Sequence, residues 1–263
     1  MQSPTLNYVF GDSKFLIGMI HLPASIGYPT YPGKQAIIKK ALVDLHTLEK
    51  AGFDAVLIEN DNDQPHRIDV QKEVAFEFEE IAMTISKVSK IPVGIELLYD
   101  MKKTVEIGAK LNLFFVRLDV FADTMSTKWG IVPKQGVELC TLREKLSPNL
   151  LLISDIQVKH AIPVTKRPLE ESVRESIKLG ADAIIVTGEL TGIPPKKEKC
   201  IDIKKAAGNT PILVGSGVDL ENAMELLSIV DGAIVGTSIK SGEYIDPIKA
   251  SQLVKAVRKV RNL

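Results

Sequence analysis

Eight times along the chain a short apolar run gives way to a stretch of helical periodicity, and this alternation limits the fold more than any single residue does. The runs are FLIGMIHL (15–22), AVLIEND (55–61), PVGIELL (92–98), FFVRLDVF (114–121), LLISDIQV (151–158), AIIVTG (183–188), PILVGSGV (211–218) and GAIVGTSI (232–239). Each is rich in β-branched or aromatic residues and has the length of a strand buried on both faces, as in a parallel sheet.

The intervening stretches read as amphipathic helices. In the first, Ile37, Ala41, Leu45 and Leu48 fall on one face, and Gly52 ends the pattern. Asp219 is a candidate N-cap for the seventh helix, with Glu221 in its first turn. Asp246-Pro247 is an N-cap followed by proline at the first helical position. A weak repeat marks the junctions: Gly52-Phe-Asp-Ala-Val, Gly180-Ala-Asp-Ala-Ile and Asp231-Gly-Ala-Ile-Val each join a helix end to a strand start.

Helix-to-strand links are short, whereas the strand-to-helix links at 23–33, 62–69, 122–132, 159–167 and 189–194 are long. Short loops at one end and long loops at the other describe a scaffold with one functional face. The 263 residues suit a single domain, 1–263, folded as an α/β (β/α)₈ TIM barrel, which takes about 250 residues. No GxGxxG follows the first strand, which disfavours a doubly wound open sheet.

Composition narrows the function classes. Lys+Arg and Asp+Glu balance at 33 each, so there is no broad basic field for nucleic acid or acidic membranes. The two cysteines, Cys140 and Cys200, are too few for a disulfide framework, as expected of a reduced, cytoplasmic protein. The N-terminus has no basic start with a long apolar run behind it, and no run approaches a membrane span. Any membrane association is therefore expected to be peripheral, and the expected assembly is a homo-oligomer.

The seventh run ends in Val214-Gly-Ser-Gly-Val and the eighth in Ile234-Val-Gly-Thr-Ser. Glycine lets backbone N–H groups approach an anion with no Cβ in the way. The last two strand ends are also where barrels of this class hold phosphate. Gly215, Ser216, Gly217, Gly236, Thr237 and Ser238 are thus the candidate phosphate site, and a small phosphorylated metabolite is the expected partner. Segment 239–243 is too short to read as the extra helix that often caps such a site.

Charged residues sit near the ends of otherwise apolar strands: His21, Glu59, Glu96, Arg117 with Asp119, and Asp155 with Gln157, followed by Lys159 and His160. Residues two apart on a strand face the same way. Arg117 can bridge two carboxylates, so a salt-bridge layer plugging the barrel is one reading. In the functional reading, Asp155, Lys159, His160 and His21 are the candidate catalytic residues, moving a proton beside a carbonyl. Glu59, Glu96 and Asp119 are candidate ligands for Mg²⁺, which prefers hard oxygen donors. His21, His46, His66 and His160 lack a zinc-ligand spacing, and His46 reads as a surface or packing residue. Trp129, the lone tryptophan, reads either as a lid over the mouth or as a residue buried beneath its loop. Residues 163–168 read as a rigid turn.

Ile17-Gly-Met-Ile-His-Leu-Pro, Val93-Gly-Ile-Glu-Leu-Leu, Asp155-Ile-Gln-Val-Lys-His, Pro211-Ile-Leu-Val-Gly-Ser-Gly-Val and Asp231-Gly-Ala-Ile-Val-Gly-Thr-Ser-Ile-Lys resemble the BtpA/SgcQ family. The matches run in order from about Leu16 to Lys240. The resemblance implies a phosphate-binding barrel. It offers two functions: an enzyme of sugar metabolism, or a biogenesis factor peripheral to the thylakoid membrane, like the namesake associated with photosystem I. His21, Asp155, Lys159, His160, Gly215, Gly217, Gly236 and Thr237 match the family pattern. Glu96 and Asp119 stand where the family usually has asparagines, and Leu97–Asp100 replaces an Arg-Asn-Asp group, which alters the charge of the mouth.

The expected function is therefore isomerase, epimerase or lyase chemistry on a phosphorylated metabolite at the C-terminal mouth. A non-catalytic assembly factor for a membrane complex is the alternative.

Overall fold

The computed structural model describes residues 14–190 and 192–261. The reading of the N-terminus as lacking a leader falls largely on residues 1–13, outside the described residues.

Eight parallel strands close into a barrel: β1 (Phe15–His21), β2 (Ala55–Glu59), β3 (Val93–Glu96), β4 (Phe115–Leu118), β5 (Leu151–Asp155), β6 (Ala183–Val186), β7 (Ile212–Val214) and β8 (Gly232–Val235). They pair in chain order, and β8 returns to β1 with Phe15 beside Gly232 and Gly18 beside Val235. Among the described residues eight helices surround them: α1 (Lys34–Ala51), α2 (Lys72–Val88), α3 (Met101–Lys110), α4 (Gly136–Leu146), α5 (Leu169–Leu179), α6 (Lys197–Ala207), α7 (Ala223–Ile229) and α8 (Pro247–Arg261). Every expected strand is present, though several are shorter than their apolar runs.

The two-residue period of a strand sorts side chains into two apolar layers. Phe15, Ile17, Met19, Ala55, Leu57, Phe115, Leu151, Ile153, Ala183, Ile185, Leu213 and Ile234 fill the barrel interior. Leu16, Ile20, Val56, Ile58, Ile95 and Leu152 belong to the larger core shared with the helices. Only small residues fit opposite the interior aromatics, so a Cβ at Gly94 would strike the Phe115 ring and one at Gly232 the Phe15 ring. Continuing the inward parity up each strand puts His21, Glu59, Glu96, Arg117, Asp119, Asp155, Thr187, Gly215 and Gly236 at the C-terminal mouth.

The repeat at the helix-to-strand junctions has one physical cause. Asp54 Oδ2 accepts from the Leu16 amide at 2.7 Å, Asp182 Oδ2 from the Leu152 amide at 2.7 Å and Asp231 Oδ2 from the Ile212 amide at 2.8 Å. Each aspartate also returns its own amide to the carbonyl of the same partner. It thereby ties β2 to β1, β6 to β5 and β8 to β7 at the barrel floor. Between β3 and β4 the equivalent position is Phe114, whose amide donates to the Val93 carbonyl and whose ring is 51% exposed.

Gly52 and Gly180 end α1 and α5 in the left-handed conformation. Asp246 caps α8, its Oδ1 accepting from the amides of Ile248 and Lys249. Asp219 accepts from the amides of Glu221 and Asn222 in a turn, and α7 itself begins only at Ala223. The expected N-cap is therefore the opening of a turn that leads into a shorter helix.

The long loops carry structure that the sequence reading left out. Met125–Thr127, Gly130–Val132 and Ala161–Pro163 form a three-stranded antiparallel sheet, so residues 122–132 are not a plain loop and the rigid turn begins only after Pro163. After β8 come a 3₁₀ turn, Thr237–Ile239, and a small hairpin of Lys240–Ser241 with Tyr244–Ile245. These pieces are too short to show a period.

Candidate active site

A cavity of about 430 Å³ opens at the C-terminal mouth. Its walls include His21, Glu59, Arg117, Asp119, Lys159 and His160, along with Gly215 through Val218 and Val235 through Ser238. The two groups of residues singled out from the sequence thus share one space. Asp155 and Glu96 do not line it; both lie buried beneath.

Below the cavity is a charge cluster built on one cation. Arg117, 4% exposed, donates from Nε to Asp155 Oδ2 at 2.8 Å and from Nη2 to Asp155 Oδ1 at 3.2 Å. Its Nη1 lies 3.0 Å from Glu96 Oε2, an ion-pair distance without hydrogen-bond alignment; neither Glu96 oxygen accepts a hydrogen bond among the described residues, and the carboxyl lies where its proton can be shared with Asp119. Burial pushes the Glu96 carboxyl well above its ordinary range; Arg117 opposes this, while Asp119 and Glu59 add to it. Burial raises Asp155 too, against the pull of Arg117. Several acids facing one guanidinium in low dielectric cannot all ionise freely, which favours the protonated form of Glu96. The salt-bridge reading of Arg117 is what the geometry shows. Asp155, expected among the catalytic residues, is spent on holding Arg117.

Glu59 and His21 stand side by side in register on β2 and β1. His21 Nε2 is 3.6 Å from Glu59 Oε2, and His21 Nδ1 is buried with no partner among the described residues. Burial pushes the Glu59 carboxyl up to about 7, with Arg117 opposing. Burial, then Lys240, Lys40, Lys159 and Arg117, hold the His21 imidazole well below its ordinary pKa, so the ring is neutral near pH 7.

The glycines at the ends of β7 and β8 owe their identity to close packing. A Cβ at Gly215 would meet Ile185, one at Gly217 the backbone of Ile193 and Pro194, and one at Gly236 the His21 ring. Gly217 also has a φ of +69°. The Gly215 amide donates to Val186 O at 2.9 Å and is not available to a ligand. Ser216 Oγ donates to Ile193 O at 3.1 Å and accepts from Gly188 N at 2.9 Å. Ser238 Oγ donates to Val218 O at 2.6 Å. Both hydroxyls are thus taken up in holding loops, contrary to their expected role as anion donors. The backbone N–H groups of Gly217, Gly236, Thr237 and Ser238 find no acceptor among the described residues, and the Thr237 side chain is exposed.

Of the expected Mg²⁺ ligands, Glu96 and Asp119 come together and Glu59 does not join them. Glu96, Asp119 and Asp155 bring one oxygen each within 4.8 Å of one another, whereas Glu59, although beside Glu96 in register, turns toward His21 and lies outside that group. Both Asp155 oxygens are engaged by Arg117. A cation among the three would have to displace the guanidinium, so this donor set does not fit Mg²⁺.

Gln157, expected to point with Asp155, instead turns away at φ +44°. Its Nε2 donates to Arg167 O at 3.0 Å and Ser172 Oγ at 3.1 Å. His46 is exposed on α1, as expected. Trp129 lines the mouth and is also half-buried against the core with its Nε1 covered, so it carries features of both readings. Asp61, His66, Tyr99, Lys128 and Lys240 also line the cavity and were not singled out. They come from loops, where no period marks which side chains turn inward.

The BtpA family model matches residues 12–259. The chain belongs to the BtpA family. It is 34% identical over 257 residues to an uncharacterized protein of Pyrococcus horikoshii, covering 95% of this chain and 98% of that one. It is 31% identical over 252 residues to the photosystem I biogenesis protein BtpA of Synechocystis, covering 92% and 87%. Among solved structures, N-(5′-phosphoribosyl)anthranilate isomerase from Pyrococcus furiosus superposes with a TM-score of 0.60 at 13% identity, covering 94% of this chain and all of that one. At that identity the likeness shows the barrel fold. No helix of this BtpA-family chain, among the described residues, is long and apolar enough to cross a membrane.

Proposed function

We propose that this BtpA-family chain is an enzyme that binds a small phosphorylated metabolite at the barrel mouth and moves a proton on it, as an isomerase, epimerase or lyase does. One observation carries the reading: backbone N–H groups of Gly217, Gly236, Thr237 and Ser238 without acceptors line the same cavity as a carboxyl that exchanges its proton near pH 7. The amides bind the phosphate, and Lys159 and Lys240 add positive charge. Glu59 takes and returns the proton, because a general acid–base works best with a pKa near the working pH. Neutral His21 donates a hydrogen bond to the developing oxyanion. Asp155 positions Arg117, which supplies the fixed positive charge beneath the site. His160 closes the rim. The phosphoribosyl isomerase among the fold's neighbours makes such chemistry familiar for this scaffold, as an analogy. The reading places the protein in the cytoplasm, as a homo-oligomer.

The test is calorimetric titration with inorganic phosphate and a panel of sugar phosphates, followed by solvent-deuterium exchange into whichever compound binds. Binding that Gly236→Asp abolishes, with exchange that Glu59→Gln abolishes, supports the proposal; failure of the whole panel to bind overturns it. The second reading, a non-catalytic assembly factor with peripheral membrane contact, draws on the Synechocystis relative. It expects Glu59→Gln and Lys159→Ala to leave biological activity intact.

A further inference from the structure

Opposite the glycines, three aromatic side chains from separate loops meet at the rim of the same cavity. His66 comes from the loop after β2, Tyr99 from the loop after β3, and Trp129 from the hairpin of the small sheet. His66 meets Tyr99 edge-on, centroids 5.7 Å apart at 67°, and meets Trp129 edge-on at 6.1 Å and 84°. Each edge-to-face contact uses one face of one ring only, so the group keeps ring faces on which a further ring can stack. Lys128 Nζ lies 4.4 Å from the Trp129 centroid.

Two features set this group apart from an ordinary packed cluster. Trp129 Nε1 and His66 Nδ1 are buried and lack a hydrogen-bond partner among the described residues. A buried donor without an acceptor costs free energy, and a ligand atom is one way to satisfy it. Tyr99 is also held in the left-handed conformation, at φ +64°, which is uncommon for a bulky residue. Its amide donates to Asp119 Oδ2 at 3.2 Å, coupling the strained turn to the charge cluster. Backbone strain of this kind, fixed by a hydrogen bond at a cavity wall, is found where a side chain must be aimed.

We propose that His66, Tyr99 and Trp129 form a second recognition subsite that takes a flat aromatic or heteroaromatic ring bearing a hydrogen-bond acceptor on its edge. The inference rests on the phosphate reading and deepens it: the substrate is a phosphate ester with such a ring at its far end. The glycine end holds the phosphate, the aromatic corner holds the ring, and Glu59 and His21 face the atoms between.

Trp129 is the only tryptophan in the chain, so its emission reports directly on this corner. The full chain is titrated with inorganic phosphate, phosphoglycerol, a hexose monophosphate, phenyl phosphate and a pyrimidine nucleoside monophosphate, following calorimetry and Trp129 fluorescence together. The pyrimidine nucleoside monophosphate is expected to bind about tenfold more tightly than phosphoglycerol, the upper range for one aromatic contact, and to change the emission, with phenyl phosphate, whose ring has no edge acceptor, falling between them. His66→Ala should remove that preference and leave the affinity for inorganic phosphate unchanged. Tyr99→Asn, which tolerates the left-handed backbone, should do the same should the first variant fold poorly.

Equal affinity for ringed and ringless phosphates, with unchanged emission, overturns the inference and leaves the phosphate reading standing. A hexose monophosphate that matches the pyrimidine nucleoside monophosphate overturns the choice of an aromatic ring. Phenol and a free nucleoside binding as tightly as their phosphates would keep the aromatic subsite and overturn the phosphate reading. Binding by none of the probes overturns both.

Discussion

Arg117 holds Asp155 with two nitrogens, Nε at 2.8 Å from Oδ2 and Nη2 at 3.2 Å from Oδ1. Both groups are buried, and Glu96 lies within ion-pair reach of the same guanidinium. Removing the cation leaves the acids uncompensated in low dielectric. Arg117→Met should cost about 3–5 kcal/mol in a urea denaturation, the usual penalty for breaking a buried pair. Adding Asp155→Asn and Glu96→Gln to that variant should recover part of the loss. A loss below about 1 kcal/mol would mean that the cluster is open to water and the pairing weak.

The position of Gly236 against His21 gives a second expectation. A Cβ there would strike the imidazole Cε1 and press on Met19. Gly236→Ala should lower stability by about 1–3 kcal/mol through overpacking. It should also weaken phosphate binding, since the displaced ring and the Gly236 amide share the cavity wall. Thermal denaturation and phosphate titration read the two effects separately.

Glu59 sets a pH dependence whose sign is fixed by the direction of its shift. Its folded pKa, raised to about 7, lies above the ordinary 4.5. Below pH 4.5 both folded and unfolded chains carry the proton. Between these values the unfolded chain releases it first, so this contribution to stability is lost as pH rises through about 7. The size is on the order of 3 kcal/mol, and Glu59→Gln should remove that portion of the slope. Glu96 and Asp155, also raised, act with the same sign. His21 acts oppositely: its pKa is lowered, so its contribution is present above the ordinary 6.5 and lost as pH falls through the folded value. Urea denaturation across pH 4 to 8 on the wild type and on Glu59→Gln separates them.

The junction aspartates allow a paired test. Asp182→Ala removes the acceptor of the Leu152 amide and should cost about 1–3 kcal/mol. Phe114→Asp places a carboxylate at the one junction of this kind that lacks it and removes an exposed ring. It should add about 1 kcal/mol, the usual net gain from one hydrogen bond. Thermal denaturation of the two variants should therefore move in opposite directions.

Millimolar Mg²⁺ should leave the melting temperature unchanged, because Arg117 occupies the place a cation would need between Glu96 and Asp155. A rise in melting temperature with Mg²⁺ would show that the ion displaces the guanidinium, since a ligand that binds only the folded state stabilises it.

Much of the site was legible because it lies on strands. A two-residue period carries His21, Glu59, Glu96, Arg117 and Asp155 to the interior once the strands are placed, and the chain itself supplies the strand positions. The glycine motifs were legible as close-approach sites, although the atoms approaching proved to be Ile185, Pro194 and His21 as well as any anion. The engagement of the Ser216 and Ser238 hydroxyls was not legible, because a hydroxyl at a strand end gives no sign of whether a loop carbonyl will take it. His66 and Tyr99 sit in loops and Lys240 in a two-residue strand, where spacing does not tell which side chains converge.

By itself the sequence determined a closed ring of eight strand–helix units with a polar C-terminal end, because burial periodicity and turn chemistry act over a few neighbouring residues. Which acids are pushed toward their protonated forms, which serine hydroxyl is spent on a loop, and that Asp155 serves Arg117 instead of facing the cavity were decided only by the tertiary structure. Those outcomes depend on desolvation and on contacts between residues tens of positions apart, such as Arg117 with Asp155 and Gly236 with His21.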